Sequence, residues 1–257
     1  MKKFFVAALC FALFAAGGGV SNELMRWYFT RPDSAGDAPG WDDSFDLAQY
    51  DAYYLGDTSQ KDIFLTFDEG YENGYTSVIL DVLKEKNVPA AFFVTKSYIR
   101  ENPDLIRRMV DEGHVVGNHT VRHKSSPSLS PAELTSELTA VSEYFKEMIG
   151  TDIPPFFRPP MGEYSLQTLQ TTKDAGYATI FWSFAYADWL VDKQPGAGVA
   201  HKKVVDGLHN GAILLLHAVS SSNAEAMGDI IDSARALGYE FKSLYQLTNP
   251  MWPPPLG

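Results

Sequence analysis

From Lys61 onward the chain alternates short apolar runs with helix-periodic segments, and this alternation narrows the fold more than any other feature. Strand-like runs recur at Ile63–Phe67, Ala90–Thr95, His114–Asn118, Phe156–Arg158, Thr179–Phe184 and Ala212–His217. Between them, Tyr75–Lys86 carries Val78, Ile79, Val82 and Leu83 at helical spacing. Pro103–Glu112 opens with Asn102 as an expected cap and Pro103 at the first helical position. Ser130-Pro-Ala-Glu133 spells a capping box ahead of an amphipathic run that ends at Gly150. Leu166–Ala175 stops at Gly176 and Ala224–Leu237 at Gly238, the usual C-terminal place for glycine. Strands separated by whole helices need crossover connections, so βα units around a parallel sheet are expected. A chain of 257 residues suits one (β/α) barrel without a second domain.

In α/β folds catalytic groups collect where strands end, and here the strand ends carry the chemistry. Leu65-Thr-Phe-Asp68-Glu69 closes an apolar run with two adjacent carboxylates. Such a pair can divide labour between general base and metal ligand, while the plainer alternative makes Asp68 the N-cap of the helix near Tyr75. Asn118-His119-Thr-Val-Arg-His123 follows another run, and histidines four apart on a helical turn share a face. That spacing arises by chance in about one such chain in seven, so its position after a strand is what gives it weight. With Asp68 and Glu69 it makes up a carboxylate-plus-two-histidine metal set. Phe157-Arg158-Pro159-Pro160-Met161-Gly162 is stiff and extended, with the N–H groups of Met161 and Gly162 expected to be free for a ligand. Arg158 is placed to pair with a carboxylate and hold it ionised. Trp182 to Trp189 ends on Asp188-Trp189, a carboxylate beside an aromatic that can stack on a sugar. Leu214-Leu-Leu-His217 ends an aliphatic run on one ionisable group, which a nearby Asp would ready for proton donation. Read singly, a loop, a buried tryptophan and a satisfied core histidine are the commoner explanations of the last three motifs.

Taken in order, Thr-Phe-Asp-Glu, His-Thr-x-x-His, Arg-Pro-Pro, Asp-Trp and Leu-Leu-His resemble the motif series of the polysaccharide deacetylase family, also called NodB-homology or carbohydrate esterase family 4. The likeness spans roughly residues 61 to 247. The stretches around Asp68-Glu-Gly-Tyr-Glu-Asn-Gly and Trp182–Pro195 look like the branch that makes the muramic δ-lactam of spore cortex. The resemblance implies a distorted (β/α) barrel of the NodB-homology type as a single catalytic domain. It implies Asp68 as general base held by Arg158, and His217 as general acid oriented by Asp188. Glu69, His119 and His123 would bind a divalent metal, zinc in most members. The Met161 N–H would face the oxyanion, and Trp189 and Tyr164 would contact substrate. Where the family usually has Asp, this chain has Glu69, whose extra methylene moves the carboxylate by about one bond length. The implied reaction removes acetyl from N-acetylmuramic acid in peptidoglycan glycan already stripped of peptide, hence after an amidase. Two alternatives stay open: a sister enzyme acting on N-acetylglucosamine, chitin or xylan, and a glycan-binding protein without turnover.

Lys2-Lys3, the apolar run Phe4–Ala16 and the small residues through Gly19 have the layout of a secretory signal over residues 1–20. Left uncleaved, it would be a marginal membrane anchor, so a secreted or membrane-anchored extracytoplasmic protein is expected. The sole cysteine, Cys10, lies in that run, so the mature chain has neither thiol catalysis nor disulfides. Without Lys2 and Lys3 there are 19 basic against 32 acidic residues, a balance unsuited to nucleic acid or anionic lipid. Residues 21–60, rich in Gly, Pro and aromatics, read as an arm with little regular structure packed on the domain at 61–250. A monomer is expected, and a sporulation setting follows from the resemblance alone.

Overall fold

The computed structural model describes residues 20–30, 36–41 and 44–248. Cys10 and the expected signal segment, Val20 apart, lie outside the described residues. The strands are β1 (Met25–Arg26), β2 (Ala52–Tyr53), β3 (Asp62–Glu69), β4 (Ala91–Val94), β5 (Val115–Asn118), β6 (Phe156–Phe157), β7 (Glu163–Tyr164), β8 (Ala178–Ile180), β9 (Phe184–Ala185), β10 (Ala212–Leu216) and β11 (Glu240–Phe241). The helices are α1 (Thr76–Glu85), α2 (Lys96–Glu101), α3 (Pro103–Asp111), α4 (Pro131–Ile149), α5 (Leu166–Asp174), α6 (Ala197–Asp206), α7 (Ser221–Ala236) and α8 (Leu244–Thr248). One parallel sheet runs β2-β8-β6-β5-β4-β3-β10-β9, with β11 added beside β3. Its outer strands β2 and β9 do not pair with each other, so the sheet curls as an open, distorted barrel. No helix among the described residues is long and apolar enough to cross a membrane.

Successive strand residues face opposite sides, and the buried clusters follow that period of two. Ile63, Leu65 and Phe67 join the layer between sheet and helices, with Phe92, Val116, Leu214 and Leu216. Phe64, Phe93, Val115, Phe156 and Ile213 fill the inside of the curl. The inner face of β3 therefore continues to Asp68, and its helix-facing side continues to Glu69. Gly117 in β5 is required by close approach, because a Cβ there would sit 2.6 Å from the Phe93 ring.

Two sequence expectations change. The run Thr179–Phe184 divides into β8 and β9, because Ser183 breaks the ladder. Its Oγ accepts the N–H of Ile213 at 3.0 Å, and the chain passes from β8 to a place beside β10. Asn102 is no side-chain cap for α3; its amide donates instead to the Tyr98 carbonyl at 3.2 Å, closing α2. Residues 21–60 add β2 to the main sheet, where it pairs with β8. Trp27 anchors the arm by stacking on Phe181 at 4.3 Å and donating Nε1–H to the Trp182 carbonyl at 2.9 Å. The capping box at Ser130 and Glu133 forms as the sequence predicts.

Candidate active site

A cavity of about 680 Å³ opens at the carboxyl ends of the strands, lined by Asp68, His119, His123, Met161, Trp189 and His217 among others. Asp68 caps no helix: Tyr75 stands at the N-cap of α1 without a side-chain bond. Instead Arg158 Nη1 donates to Asp68 Oδ1 at 2.9 Å. The guanidinium is fully buried, held by the carbonyls of Ile180 at 3.0 Å and Phe181 at 3.3 Å and stacked 4.2 Å over the Phe93 ring. Burial alone would raise the Asp68 carboxyl. The charges of Arg158, His119 and His217 and the Arg158 hydrogen bond outweigh it and hold the group below the ordinary carboxylate value. A cavity-facing carboxylate kept ionised and 3.7 Å from His119 Nε2 is suited to accepting a proton.

His119 and His123 ride on a turn whose backbone is forced into the left-handed region at Thr120 (φ 69°) and His123 (φ 52°). Buried Glu137, from α4, holds it. Its Oε2 accepts the N–H of Val121 at 2.8 Å and of Arg122 at 3.0 Å, and its Oε1 accepts Arg122 Nε–H. Asn118 Oδ1 and Thr120 Oγ1 accept the N–H groups of Thr120 and His123, each at 3.0 Å. His119 Nδ1 is bonded to the Arg158 carbonyl at 2.8 Å, which assigns its proton to Nδ1 and leaves Nε2 as a lone-pair donor. Burial pushes His119 down to about 4 and lowers His123 as well, so both imidazoles are neutral at pH 7.

Glu69 does not join them. It lies on the helix-facing side of β3, fully buried, and neither carboxylate oxygen has a hydrogen-bond partner among the described residues. Burial first, then the charges of Glu72 and Asp68, raise its carboxyl well above the ordinary value. Among the described residues no three His, Cys, Asp or Glu side chains are grouped to hold one ion. The expected set of Glu69, His119 and His123 therefore does not close as a three-donor centre, because adjacent strand residues cannot share a face.

One strand over from Asp68, at the end of β10, His217 Nδ1 donates to Asp188 Oδ1 at 2.7 Å and the His217 backbone N–H to Asp188 Oδ2 at 2.8 Å. Asp188 is fully buried. Burial would lower His217, but the hydrogen bond and charge of Asp188, with Asp68 beyond, raise it above the ordinary histidine value. The group can thus carry a proton near neutral pH. Met161, at φ 59°, is 56% exposed on the cavity rim, and its N–H makes no hydrogen bond among the described residues. The N–H of Gly162, expected to be free, donates to the Pro159 carbonyl at 3.1 Å. Trp189 is 49% exposed with its ring 5.5 Å from His217. Tyr164 is not a cavity residue. It is 5% exposed and packed with Phe181 and Phe45 in the aromatic cluster under the arm, where β7 pairs with β1. Sequence reasoning missed Glu137, which reads as one more charge on an amphipathic helix, and Gln194, whose amide donates to the Asp188 carbonyl at 2.7 Å.

A polysaccharide deacetylase family model matches residues 55–180, and Asp188 and His217 lie beyond it. The peptidoglycan-N-acetylmuramic acid deacetylase PdaA of Bacillus subtilis is 41% identical over 256 residues, covering 95% of each chain. The solved structure of B. subtilis PdaA, described as a family 4 carbohydrate esterase, superposes with a TM-score of 0.84 at 42% identity, covering 89% of this chain and 98% of that one. A family 4 carbohydrate esterase from Bacillus anthracis gives 0.73 at 43% identity, with the same coverage. The family is generally metal-dependent, and by fold, motif series and near full-length identity this chain belongs to the polysaccharide deacetylase family.

Proposed function

We propose that this protein hydrolyses the acetamido group of N-acetylmuramic acid in peptidoglycan glycan from which the peptide has been removed. The observation that carries the reading is the meeting in one cavity, from the ends of the adjacent strands β3 and β10, of an ionised Asp68 and a proton-carrying His217. Amide hydrolysis needs both at once: a base to take a proton from the attacking water and an acid for the departing amine. Asp68, pinned by Arg158, removes the proton as water oxygen bonds to the acetyl carbon. The oxyanion meets the Met161 N–H. His217 then gives its Nε2 proton to the amide nitrogen, the C–N bond breaks, and acetate and free amine result. Asp68 releases its proton to solvent and His217 takes one back, which restores both groups for the next cycle.

Trp182, Trp189 and Tyr71 give the cavity aromatic walls suited to sugar faces. The near full-length likeness to an enzyme named for N-acetylmuramic acid supports that sugar over N-acetylglucosamine. A peptide-free lactyl group leaves a carboxyl within reach of the freed amine, so closure to a lactam follows deacetylation in this reading, and an amidase acts first. The same likeness supports work outside the cytoplasm, on the cell wall. A divalent ion, zinc by the imidazole chemistry, would be met by His119 and His123 and would polarise the acetyl carbonyl. With two such donors the centre is incomplete, and none of the steps above depends on it.

The test is mass spectrometry of muropeptides after incubation with amidase-treated and with intact peptidoglycan. Loss of acetyl followed by loss of water, on peptide-free muramic acid only, supports the reading. Acetyl lost from glucosamine instead, or from neither sugar, overturns it.

A further inference from the structure

Behind His217 the polar chain continues past Asp188 to two residues that line no part of the catalytic cavity. Asn223 Nδ2 donates to Asp188 Oδ2 at 2.6 Å, and Tyr186 Oη donates to Asn223 Oδ1. The donors can be assigned in only one way. A carboxylate offers acceptors alone, so Asn223 must turn its NH₂ to Asp188, which leaves its oxygen for the tyrosine hydroxyl. Asn223 is fully buried and set on the first turn of α7, its backbone N–H donating to Ser220 Oγ at 3.1 Å. Asp188 Oδ2 is thus occupied twice, by the His217 N–H and by Asn223, and Oδ1 is left to face His217 Nδ1 alone.

We infer that Asn223 and Tyr186 are positioning residues of the acid half of the site, locking the rotation of the Asp188 carboxylate so that His217 keeps its proton on Nδ1 and turns Nε2 to the substrate. Neither touches substrate; both act through Asp188, as outer partners do when they fix the tautomer of a working histidine. This rests on the role proposed for His217. Removing the Tyr186 hydroxyl leaves Asn223 Oδ1 without its donor, so the amide keeps its bond to Asp188 but loses the contact that fixes its plane. Removing the Asn223 amide leaves one Asp188 oxygen short of a buried donor.

Nitrogen-15 NMR of His217 imidazole reads this without any substrate. In the wild-type protein the spectrum is expected to show a proton on Nδ1 in a strong hydrogen bond. In Tyr186→Phe and Asn223→Leu that signal shifts toward an exchanging, weakly bonded proton. On acetylated glycan, kcat falls about tenfold for the first and up to about a hundredfold for the second, with KM nearly unchanged. If Asn223→Leu does not fold, Tyr186→Phe, which removes one hydroxyl from a half-buried side chain, decides alone. An unchanged His217 signal in a folded variant overturns the inference, as do equal losses of kcat and melting temperature with that signal intact. If no muramic substrate is deacetylated even by the wild type, the functional reading fails while the NMR comparison still stands or falls by itself.

Discussion

The cavity is flanked by two pairs of a carboxylate and a cationic group, built in opposite senses. In the first, the carboxylate of Asp68 faces the cavity and the buried partner is Arg158. In the second, His217 faces the cavity and the buried partner is the carboxylate of Asp188. The chemistry of each pair is decided by which member is left at the surface. A buried arginine stays charged and lowers its carboxylate, which makes a base; a buried carboxylate raises its histidine, which makes an acid. Reversing which member is buried would reverse the roles, so the two pairs are one device used twice.

Breaking the comparison at its exposed members should have the largest effect. Asp68→Asn is expected to lower acetate release by about a thousandfold or more, with a smaller loss of stability than removing the arginine, because the amide oxygen still accepts the Arg158 hydrogen bond although the buried guanidinium loses its counter-charge. Arg158→Met should act differently, destabilising the fold by about 3–5 kcal/mol, since it leaves a part-buried charge without its partner. Thermal denaturation of the two variants separates them, and an unaffected melting temperature in Arg158→Met would show that the guanidinium is not what holds the base side together.

The pH profile sharpens the same contrast. Asp68 works ionised, and its lowered value puts the acid limb of kcat/KM below the ordinary carboxylate range. His217 works protonated, and its raised value puts the basic limb above the ordinary histidine range. Activity should therefore form a plateau between these limits and fall as pH rises through the His217 value. Asp188→Asn removes the raising partner, so the basic limb should move to lower pH while the acid limb stays. A basic limb left in place would exclude Asp188 as the group that keeps His217 protonated.

The members of both pairs could be read from the runs, but their pairing came from the family resemblance rather than from the runs themselves. Strand ends announce themselves through apolar runs that stop at a titratable group, and Asp68, Arg158, Asp188 and His217 were all reached that way. What the runs do not carry is the partner brought from a distant element, as Glu137 is to the histidine turn and Asn223 is to Asp188. Glu69 shows the reverse error. The alternation of Ile63, Leu65 and Phe67 against Phe64 already puts residues 68 and 69 on opposite faces, yet motif likeness assigns both to one site. Tyr164 was misplaced for a related reason: a tyrosine close after a catalytic loop looks exposed until the arm, whose aromatics have no periodicity to betray their docking, covers it.

Tyr164 and Trp189 make a smaller contrast of the same kind. Tyr164→Ala empties a packed aromatic site and should cost about 3–5 kcal/mol of stability. Trp189→Ala, at a half-exposed rim, should change stability by less than about 0.5 kcal/mol and instead raise KM for glycan. A raised KM in a stably folded Tyr164→Ala would return that residue to the substrate site.

The smallest effect is expected at Glu69, and it bears on how the histidine turn would meet a metal. Glu69 is buried beside Tyr98 on the helix side of β3, its carboxyl raised by burial and by Glu72 and Asp68. If that face is where it remains, Glu69→Gln should leave zinc affinity, measured by calorimetric titration of the chelator-treated protein, within about threefold of wild type. His119→Ala and His123→Ala should each weaken it by at least about tenfold, because each removes a neutral imidazole from the cavity wall. Loss of zinc affinity in Glu69→Gln equal to that in the histidine variants would mean that the carboxylate crosses to the cavity when metal arrives. The end of β3 would then have to twist by half a period to deliver it, and Asp68 could not stay on Arg158 while it did so.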